Sequence, residues 1–521
     1  MSAAPFDFVV IGAGPAGAAA APRLLAAGAP PAQGRAKPAD DARTLGESLP
    51  PSCRKLFDLI GVTGDVEAAG FLSSTGNTVW WGGRDPRAVR FAGGGIGWQV
   101  RRSELDRLLL RLASQAGAAV ETDAVVRQVD LAPPSDPAGA AESSTRYLAG
   151  GDARSLRAAF VLDCSGRAGV VARRGFRRHA AGRTTLALTA VWSRPGGWGL
   201  PDESHTLVES YGDGWAWSVP VTAERRYFTL MVDPRVTRLA RGGPLAPCYE
   251  AELAKTAALG PLTAGAALDV EPWGCDASVY DAHAYRAPGM LLVGDAGSFI
   301  DPLSSYGVKK ALASGWLAAV VVHTALTDPA LAGVALDLFD EREREMHDAL
   351  ERQSAEFFAE AAGRHDHPFW TDRAEPGVPE AAPLAPPEPA IDAPRRDPGG
   401  LTAFEALRRA PVLRLGRGDR LGVVRRPAIT ARRIILEDRL VVSGWPDAGA
   451  DRGLRFLRDI DLVRVVELAP LHRQVPDLYE AYNRVCPPVP LPDFLGVLSV
   501  LIAKGALQEG GDPAPQPGSR S

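Results

Sequence analysis

The chain has little that would build a metal centre, a disulfide scaffold or a membrane anchor. Its 521 residues include only five cysteines, and these (Cys53, Cys164, Cys248, Cys275 and Cys486) are scattered. No CxxC pair and no HExxH occurs, which argues against a zinc site, and an odd number of dispersed cysteines argues against a disulfide framework. A reducing, cytoplasmic setting is therefore expected. Histidine is also sparse, at eight residues; His365 and His367 sit beside a proline-rich stretch and are expected on the surface. Neither sign of charge is in large excess. A formal net charge of −4 argues against binding nucleic acid or an anionic membrane through overall charge. Met1 to Pro5 carries no basic residue, and the apolar run behind it is too short for a signal core. No stretch of membrane-spanning length is free of charge or glycine. What is abundant is ordinary: 46% hydrophobic and 23% charged residues, a globular composition with length for two or three domains.

Three glycine-bearing turns stand in one order. Gly12-Ala13-Gly14-Pro15-Ala16-Gly17 follows the apolar run 6–11. Asp163-Cys164-Ser165-Gly166-Arg167 follows 159–162. Gly294-Asp295-Ala296 follows 290–293 and continues through Asp301-Pro302 to Gly307. In the first, a tight strand-to-helix turn aims backbone N–H groups and the positive end of a helix at a pyrophosphate. Gly12 permits the turn, Gly14 lets phosphates approach, and Gly17 lets helix and strand pack, with Ala16 beside them. In the third, Asp295 ends a strand where it can accept from a ribityl hydroxyl, and the following helix can point its N-terminus at a flavin ring. One such turn arises by chance in an Ala/Gly-rich chain. Three in this order predict FAD, with Asp163, Gly294, Pro302, Gly307 and Val308 added to its contacts.

The predicted fold is α/β, a Rossmann-like FAD-binding domain with an antiparallel-sheet substrate domain and a small C-terminal domain. The FAD domain is discontinuous, 1–180 and 286–372. Between them, 181–285 carries strand patterns at 184–192, 206–211, 215–221 and 226–232 that would cover the flavin ring. Helices are read at 103–113, with Ser103 as N-cap, at 305–325 and at 336–362. Residues 373–400 are crowded with proline and read as a linker. Residues 401–515 read as a winged-helix-like unit, with strands at 433–437 and 439–443 around a turn, another at 462–468, and a closing helix at 492–507. Arg425, Arg426, Arg432 and Arg433 are read as a protein-contact or solvated face rather than a nucleic-acid one.

One stretch breaks the pattern. After Gly28 a dinucleotide-binding unit calls for a second apolar strand ending in an acid that holds the adenosine ribose. Here Ala29-Pro30-Pro31-Ala32-Gln33-Gly34-Arg35-Ala36-Lys37-Pro38 is neither apolar nor strand-compatible. Pro22 also falls inside the first helix, at a cost of about 3 kcal/mol. The stretch reads as a local frame error or an altered segment. Asp40 and Asp41 are poor substitutes for the ribose ligand, and FAD affinity is expected to suffer.

Gly46-Glu47-Ser48-Leu49-Pro50, Gly97-Trp98-Gln99-Val100-Arg101-Arg102 and the run from Gly294 to Gly315 resemble the FAD-dependent monooxygenase superfamily that includes tryptophan halogenases and geranylgeranyl reductases, over about residues 1–360. The resemblance places Glu47, Ser48 and Arg102 near the flavin. Gly214-Trp215-Ala216-Trp217-Ser218-Val219-Pro220 is similar to the WxWxIP motif of flavin halogenases, in which Trp215 and Trp217 would form a wall between flavin and substrate, or equally an aromatic strand in the sheet core. A halogenase also needs a lysine, which the resemblance places within 73–79, and a carboxylate two residues after Asp301-Pro302. The first stretch has no lysine, and Ser304 stands in place of the carboxylate. Lys309 and Lys310 are expected to face the surface or the substrate.

Halogenation is therefore disfavoured, and hydroxylation by a flavin hydroperoxide formed from reduced FAD and O2 is expected instead. Trp215, Trp217, Ser304 and Ser305 are the candidate catalytic residues, and Asn77, Trp80, Trp81, Trp98 and Tyr306 the candidate substrate pocket. The stretches Gly46 to Ser52, Thr75 to Gly82 and Asp301 to Gly315 further resemble flavoproteins that mature quinone cofactors built from protein tryptophans. Among these is the tryptophan-hydroxylating monooxygenase of quinohemoprotein amine dehydrogenase biogenesis, which acts on a small crosslinked subunit toward cysteine tryptophylquinone. The resemblance implies a protein or peptide substrate, clamped by the C-terminal domain. A small aromatic or isoprenoid substrate, for a monooxygenase or a reductase, is the alternative, and a non-catalytic flavin binder a third reading. No second dinucleotide fingerprint is present, so electrons come from NAD(P)H without its own fold or from a separate reductase.

Overall fold

The structure, a computed structural model, describes residues 6–26, 33–36, 43–83, 85–122, 124–131, 143–179, 183–235, 237, 244–374, 398–409, 414–443 and 453–509. The chain divides into two compact units, near residue 381. The flavin-type sheet and the antiparallel sheet belong to one unit. The proline-rich stretch 375–397 lies outside the described residues.

The first unit is organised by three parallel strands that end together. Phe6–Ile11 pairs with Asp152–Asp163, and Asp152–Asp163 with Met290–Leu292. In register, Ile11 faces Asp163 and Asp163 faces Leu292. The three glycine-bearing turns, far apart in sequence, therefore leave one edge of one sheet side by side. Strands Ser143–Ala149 and Ala124–Asp130 extend this sheet antiparallel on the far side. The helix Pro15–Ala26 returns over it and crosses the twenty-one-residue helix Gly307–Thr327. That helix is long and apolar enough to cross a membrane, yet it is mostly buried inside the protein. The crossing is close because Gly315 has no side chain: a Cβ there would lie 2.2 Å from Ala16 O.

The second sheet has seven strands in the order Ala267–Asp276, Leu186–Ser193, Arg225–Val232, Gly214–Pro220, Thr206–Tyr211, Gly76–Trp80, Arg87–Arg90. Strand alternation sorts its side chains. Ala187, Trp215 and Met231 face the helices Ala332–Ala362 and Pro368–Ala374, while Leu188, Leu207, Ala216, Phe228 and Leu230 pack on Tyr249 and Leu253.

The altered stretch folds differently from expectation. Gln33–Ala36 does form a strand, parallel to Ala119–Thr122, in a two-stranded sheet of its own. Backbone pairing suffices for this, since a parallel ladder uses N–H and C=O groups common to every sequence. Helix Pro15–Ala26 continues through Pro22, stabilised by burial of Ala18, Ala19, Ala20, Ala21 and Leu24. Asp40 and Asp41 lie outside the described residues.

The second unit holds the helix Pro398–Arg409, a hairpin of Leu421–Ile429 and Ile434–Val442, and the helices Leu462–Leu468, Val475–Val485 and Leu491–Ala503. Leu440, Val442, Leu462, Val465, Tyr482, Phe494 and Leu498 form its core. Three details depart from the sequence reading. The expected turn near 438 is continuous strand, because Asp438 pairs across with Arg425 and Arg439 with Val424. Residues 462–468 are helical rather than extended, capped by Asp461, whose side chain accepts from Arg464 N. The closing helix ends at Ala503, and Leu507–Glu509 pairs with Leu415–Arg417.

Candidate flavin and substrate site

The first turn is built so that only one of its glycines faces open space. A Cβ on Gly12 would lie 2.2 Å from Cys164 O, and one on Gly17 would lie 2.1 Å from Gly12 O. A Cβ on Gly14 would meet only Arg102 Nη2, at 3.9 Å. Gly12 also holds φ 114°, which L side chains rarely adopt. Two glycines therefore close the turn and the third leaves ground for a pyrophosphate beside a guanidinium. Arg102 is held by Glu47 Oε1 (3.2 Å) and Asp106 Oδ1 (3.2 Å). Burial works against its charge, but Asp106 and Glu47 outweigh it and keep the guanidinium's pKa above its usual value. Burial pushes the Glu47 carboxyl up, partly opposed by Arg102. Asp295 and Gly307, the latter at the start of its helix with nothing within 4 Å of a Cβ, complete a cradle that fits FAD.

Several residues assigned to FAD by sequence also hold the surrounding fold together. Asp163 is fully buried, and its carboxylate accepts from Ser165 N, Val171 N (2.7 Å) and Ala172 N (3.1 Å); it fastens the turn. Ala16 and Gly294 pack against each other and against Ala311. Val308 is buried with Leu312 and Phe57 in the core. Ser103 is not the N-cap: the helix starts at Arg102, and Ser103 N donates to Thr44 Oγ1 at 3.0 Å.

Two cavities flank the segment from Phe299 to Ser305. One lies between Glu47 and Ser48, the paired rings of Trp215 and Trp217, and Pro302, Leu303 and Ser305. The two indoles stack with centroids 4.9 Å apart. Ser305 takes a left-handed φ of 52°. Ser304 does not line this cavity: its hydroxyl donates to Asp301 O and accepts from Tyr306 N, which shapes the turn. The other cavity is lined by Phe299, Ile300, Asp301, Arg183, His347, Glu351, Phe358 and Arg373 among others. Burial raises the Asp301 carboxyl to about 6, opposed by Leu303 N and Arg373.

The expected substrate-pocket residues are dispersed. Trp81 stands behind Trp215, edge-on at 6.3 Å, with its Nε1 donating to Phe357 O. Trp80 packs on the opposite face of the sheet. Asn77 is opposite Thr206, two strands away from the strand of the tryptophan wall. Trp98 is in the core against Phe57 at 5.5 Å. Tyr306 stacks under Lys309 Nζ at 4.5 Å. None of the five lines either cavity. Asp301, Arg183, His347 and Arg373 were missed by sequence reasoning, although Asp301 directly continues the third motif. His365 is not a plain surface residue, since it stacks on Trp370 at 5.4 Å and hydrogen-bonds Ser210 Oγ at 3.1 Å. In the stretch where a halogenase lysine would stand, Ser74 is buried and accepts from Gln99 Nε2 at 3.1 Å. Among the described residues, no lysine lines either cavity.

Residues 84–384 match the family model described as tryptophan halogenase. The chain belongs to that family. A tryptophan 2-halogenase of Chondromyces crocatus is 28% identical over 382 residues, covering 70% of this chain and 69% of the relative. The flavin-dependent halogenase armH3 of Armillaria mellea is 29% identical over 351 residues, covering 61% of this chain and 68% of its own. Among solved structures, the flavin-dependent halogenase CmlS has a TM-score of 0.72 at 20% identity, covering 99% of this chain and 98% of that one. The peptidyl tryptophan dihydroxylase QhpG has a TM-score of 0.64 at 23% identity, covering 92% and 98%. These structural likenesses establish the α/β fold, and membership of the family makes FAD the cofactor class.

Proposed function

We propose that this chain is a flavin-dependent monooxygenase that hydroxylates a tryptophan carried on a protein or peptide, in the maturation of a tryptophylquinone cofactor. The observation that carries the reading is that, among the described residues, no lysine lines either cavity, with Ser74 committed to Gln99 and Ser304 to its own turn. Without an ammonium group to hold or steer hypohalous acid, halogenation has no handle on its oxidant. When bound, FAD supplies activation of O2 and its transfer to an electron-rich ring. The chain supplies the surroundings. Trp215 and Trp217 form a dry wall that excludes water. Glu47 and Arg102 fix the edge of the cofactor cradle. Asp301, with its carboxyl raised to about 6, is suited to accept a ring proton near neutral pH. QhpG, described as a peptidyl tryptophan dihydroxylase essential for tryptophylquinone cofactor biogenesis, shares the fold and lends the substrate class.

The halogenases among the sequence relatives make chlorination the competing outcome. The test is the intact mass of a tryptophan-bearing candidate subunit after incubation with this protein, reduced FAD, O2 and chloride. A gain of one or two oxygen atoms mapped to tryptophan is expected. Replacement of hydrogen by chlorine would overturn the reading in favour of halogenation. An unchanged peptide with flavin bound would move the substrate to a small aromatic molecule.

A further inference from the structure

The cavity walled by Trp215 and Trp217 has a hydroxyl on its sheet side that the flavin reading leaves unused. Thr206 and Val208 share one face of their strand, and Val208 pairs with Trp217 on the next. Both line the cavity, with Val219 and Leu303. Its other hydroxyl- and carboxyl-bearing side chains are Glu47, Ser48 and Ser305. Glu47 is engaged by Arg102. Ser48 follows Glu47, and Ser305 closes the turn that Pro302 begins; both belong to stretches read as flavin contacts. Thr206 stands apart from them, on the sheet, and is 4% exposed. Its Oγ1 accepts from Gln99 Nε2 at 3.0 Å. Gln99 is 1% exposed, and the same Nε2 donates to Ser204 O at 2.9 Å and to Ser74 Oγ at 3.1 Å. A backbone carbonyl can only accept, so Ser204 O fixes which end of the Gln99 amide points this way. Gln99 Oε1 has no partner, so the side chain is held by its donor end. An amide nitrogen does not accept, so the Thr206 hydroxyl receives from Gln99 and keeps its own proton for another partner. Among the described residues that proton has no acceptor.

A buried hydroxyl with an unused proton, at the edge of a cavity walled by indoles and aliphatic side chains, favours a ligand that brings an acceptor to it. A bare indole brings none, since its one polar group is an N–H that donates. An indole that carries a hydroxyl group does, through the phenolic oxygen. We propose that Thr206 donates to the oxygen of an indole ring already hydroxylated once, with Gln99 as the positioning residue that turns the Thr206 proton away from the sheet. The cavity then holds the singly hydroxylated ring more tightly than the bare one and presents it for a second oxygen. The inference rests on the proposed hydroxylation of tryptophan. In each round one atom of O2 enters an aryl C–H bond and the other leaves as water, while reduced FAD gives up two electrons and two hydrogens and returns to oxidised FAD. The second round repeats the first on a ring made more electron-rich by its new oxygen, and only in that round does Thr206 have a partner on the ring.

The experiment is equilibrium dialysis of the full-length protein, with oxidised FAD added, against indole and against the hydroxyindole isomers substituted on the benzene ring. Wild type should bind at least one isomer several-fold to about tenfold more tightly than indole. T206V keeps the shape of the side chain and removes the donor; it should bind every isomer with the affinity of indole, which itself stays at the wild-type value. T206S should keep the preference. Q99M should lose most of the preference and leave indole binding unchanged, a split that general loosening of the cavity would not produce. A wild type that favours no isomer over indole overturns the inference, as does a preference that survives T206V or a folded Q99M. Equal weakening of indole and its isomers in T206V also overturns it, because it makes Thr206 a packing residue. Should Q99M fail to fold, T206V and T206S decide. A wild type that binds neither indole nor any isomer overturns the tryptophan reading of the cavity itself, whereas indole binding without a preference overturns the Thr206 donor alone.

Discussion

At the scale of single residues, the site is governed by what burial does to charge. Asp301 shows the sign clearly. Its folded carboxyl titrates at about 6, above the ordinary value of 3.8, so the native state binds its proton more tightly than the unfolded chain does. The contribution to stability therefore declines as pH rises between about 4 and about 6, and stays low above that window. Asp301→Asn keeps an oxygen for Leu303 N and has no charge to bury. The difference in unfolding midpoint, variant minus wild type, is expected to grow with pH across that window and then level off. Parallel profiles for the two proteins would contradict the assignment. Lys310 carries the opposite lesson about reading sequence. In Gly307-Val308-Lys309-Lys310 both lysines look solvent-facing, yet helical spacing puts Lys310 on the face of Ser314 and Leu317, which is buried. Periodicity held that signal, and charge masked it.

At the scale of elements, the site depends on the crossing of the helices Pro15–Ala26 and Gly307–Thr327. Gly315→Ala would bring a Cβ to 2.2 Å from Ala16 O and 3.1 Å from Ala19 Cβ. The expected cost is about 1–3 kcal/mol, seen as a lowered unfolding midpoint, together with weaker FAD binding as the phosphate turn is displaced. Gly307→Ala, with open space at its Cβ, serves as the comparison and should leave stability nearly unchanged. The motifs were legible because strand-turn-helix chemistry is local. What was not legible depends on pairing at a distance. The strand Gln33–Ala36 follows from its neighbour Ala119–Thr122 rather than from its own residues. Asp163 looked like a ligand because its turn resembled a flavin motif, whereas its carboxylate is taken up by the amides of Val171 and Ala172. Trp80 was read into the substrate pocket from its type, but strand alternation sends it to one face of the sheet and Trp215 with Trp217 to the other.

At the scale of the molecule, two compact units divide the chain, and each has its own hydrophobic core. The C-terminal core, with Leu440, Leu462, Val465, Phe494 and Leu498 almost fully buried, is large enough to specify a fold by itself. Residues 398–521 expressed alone are expected to unfold in one cooperative transition by circular dichroism. A gradual, featureless melt would show that this core is insufficient without the rest of the chain.

The open ground at Gly14 has a consequence for how such a protein changes over generations. Gly12 and Gly17 are tied to the backbone around them, so a substitution at either is paid for in folding. A Cβ on Gly14 would meet only Arg102 Nη2, at 3.9 Å. A side chain there would leave the polypeptide intact and spoil only the landing place of a phosphate. That one position separates inheritance of the shape from inheritance of the chemistry, and it is where a lineage could retire the enzyme while keeping the body as a binding protein.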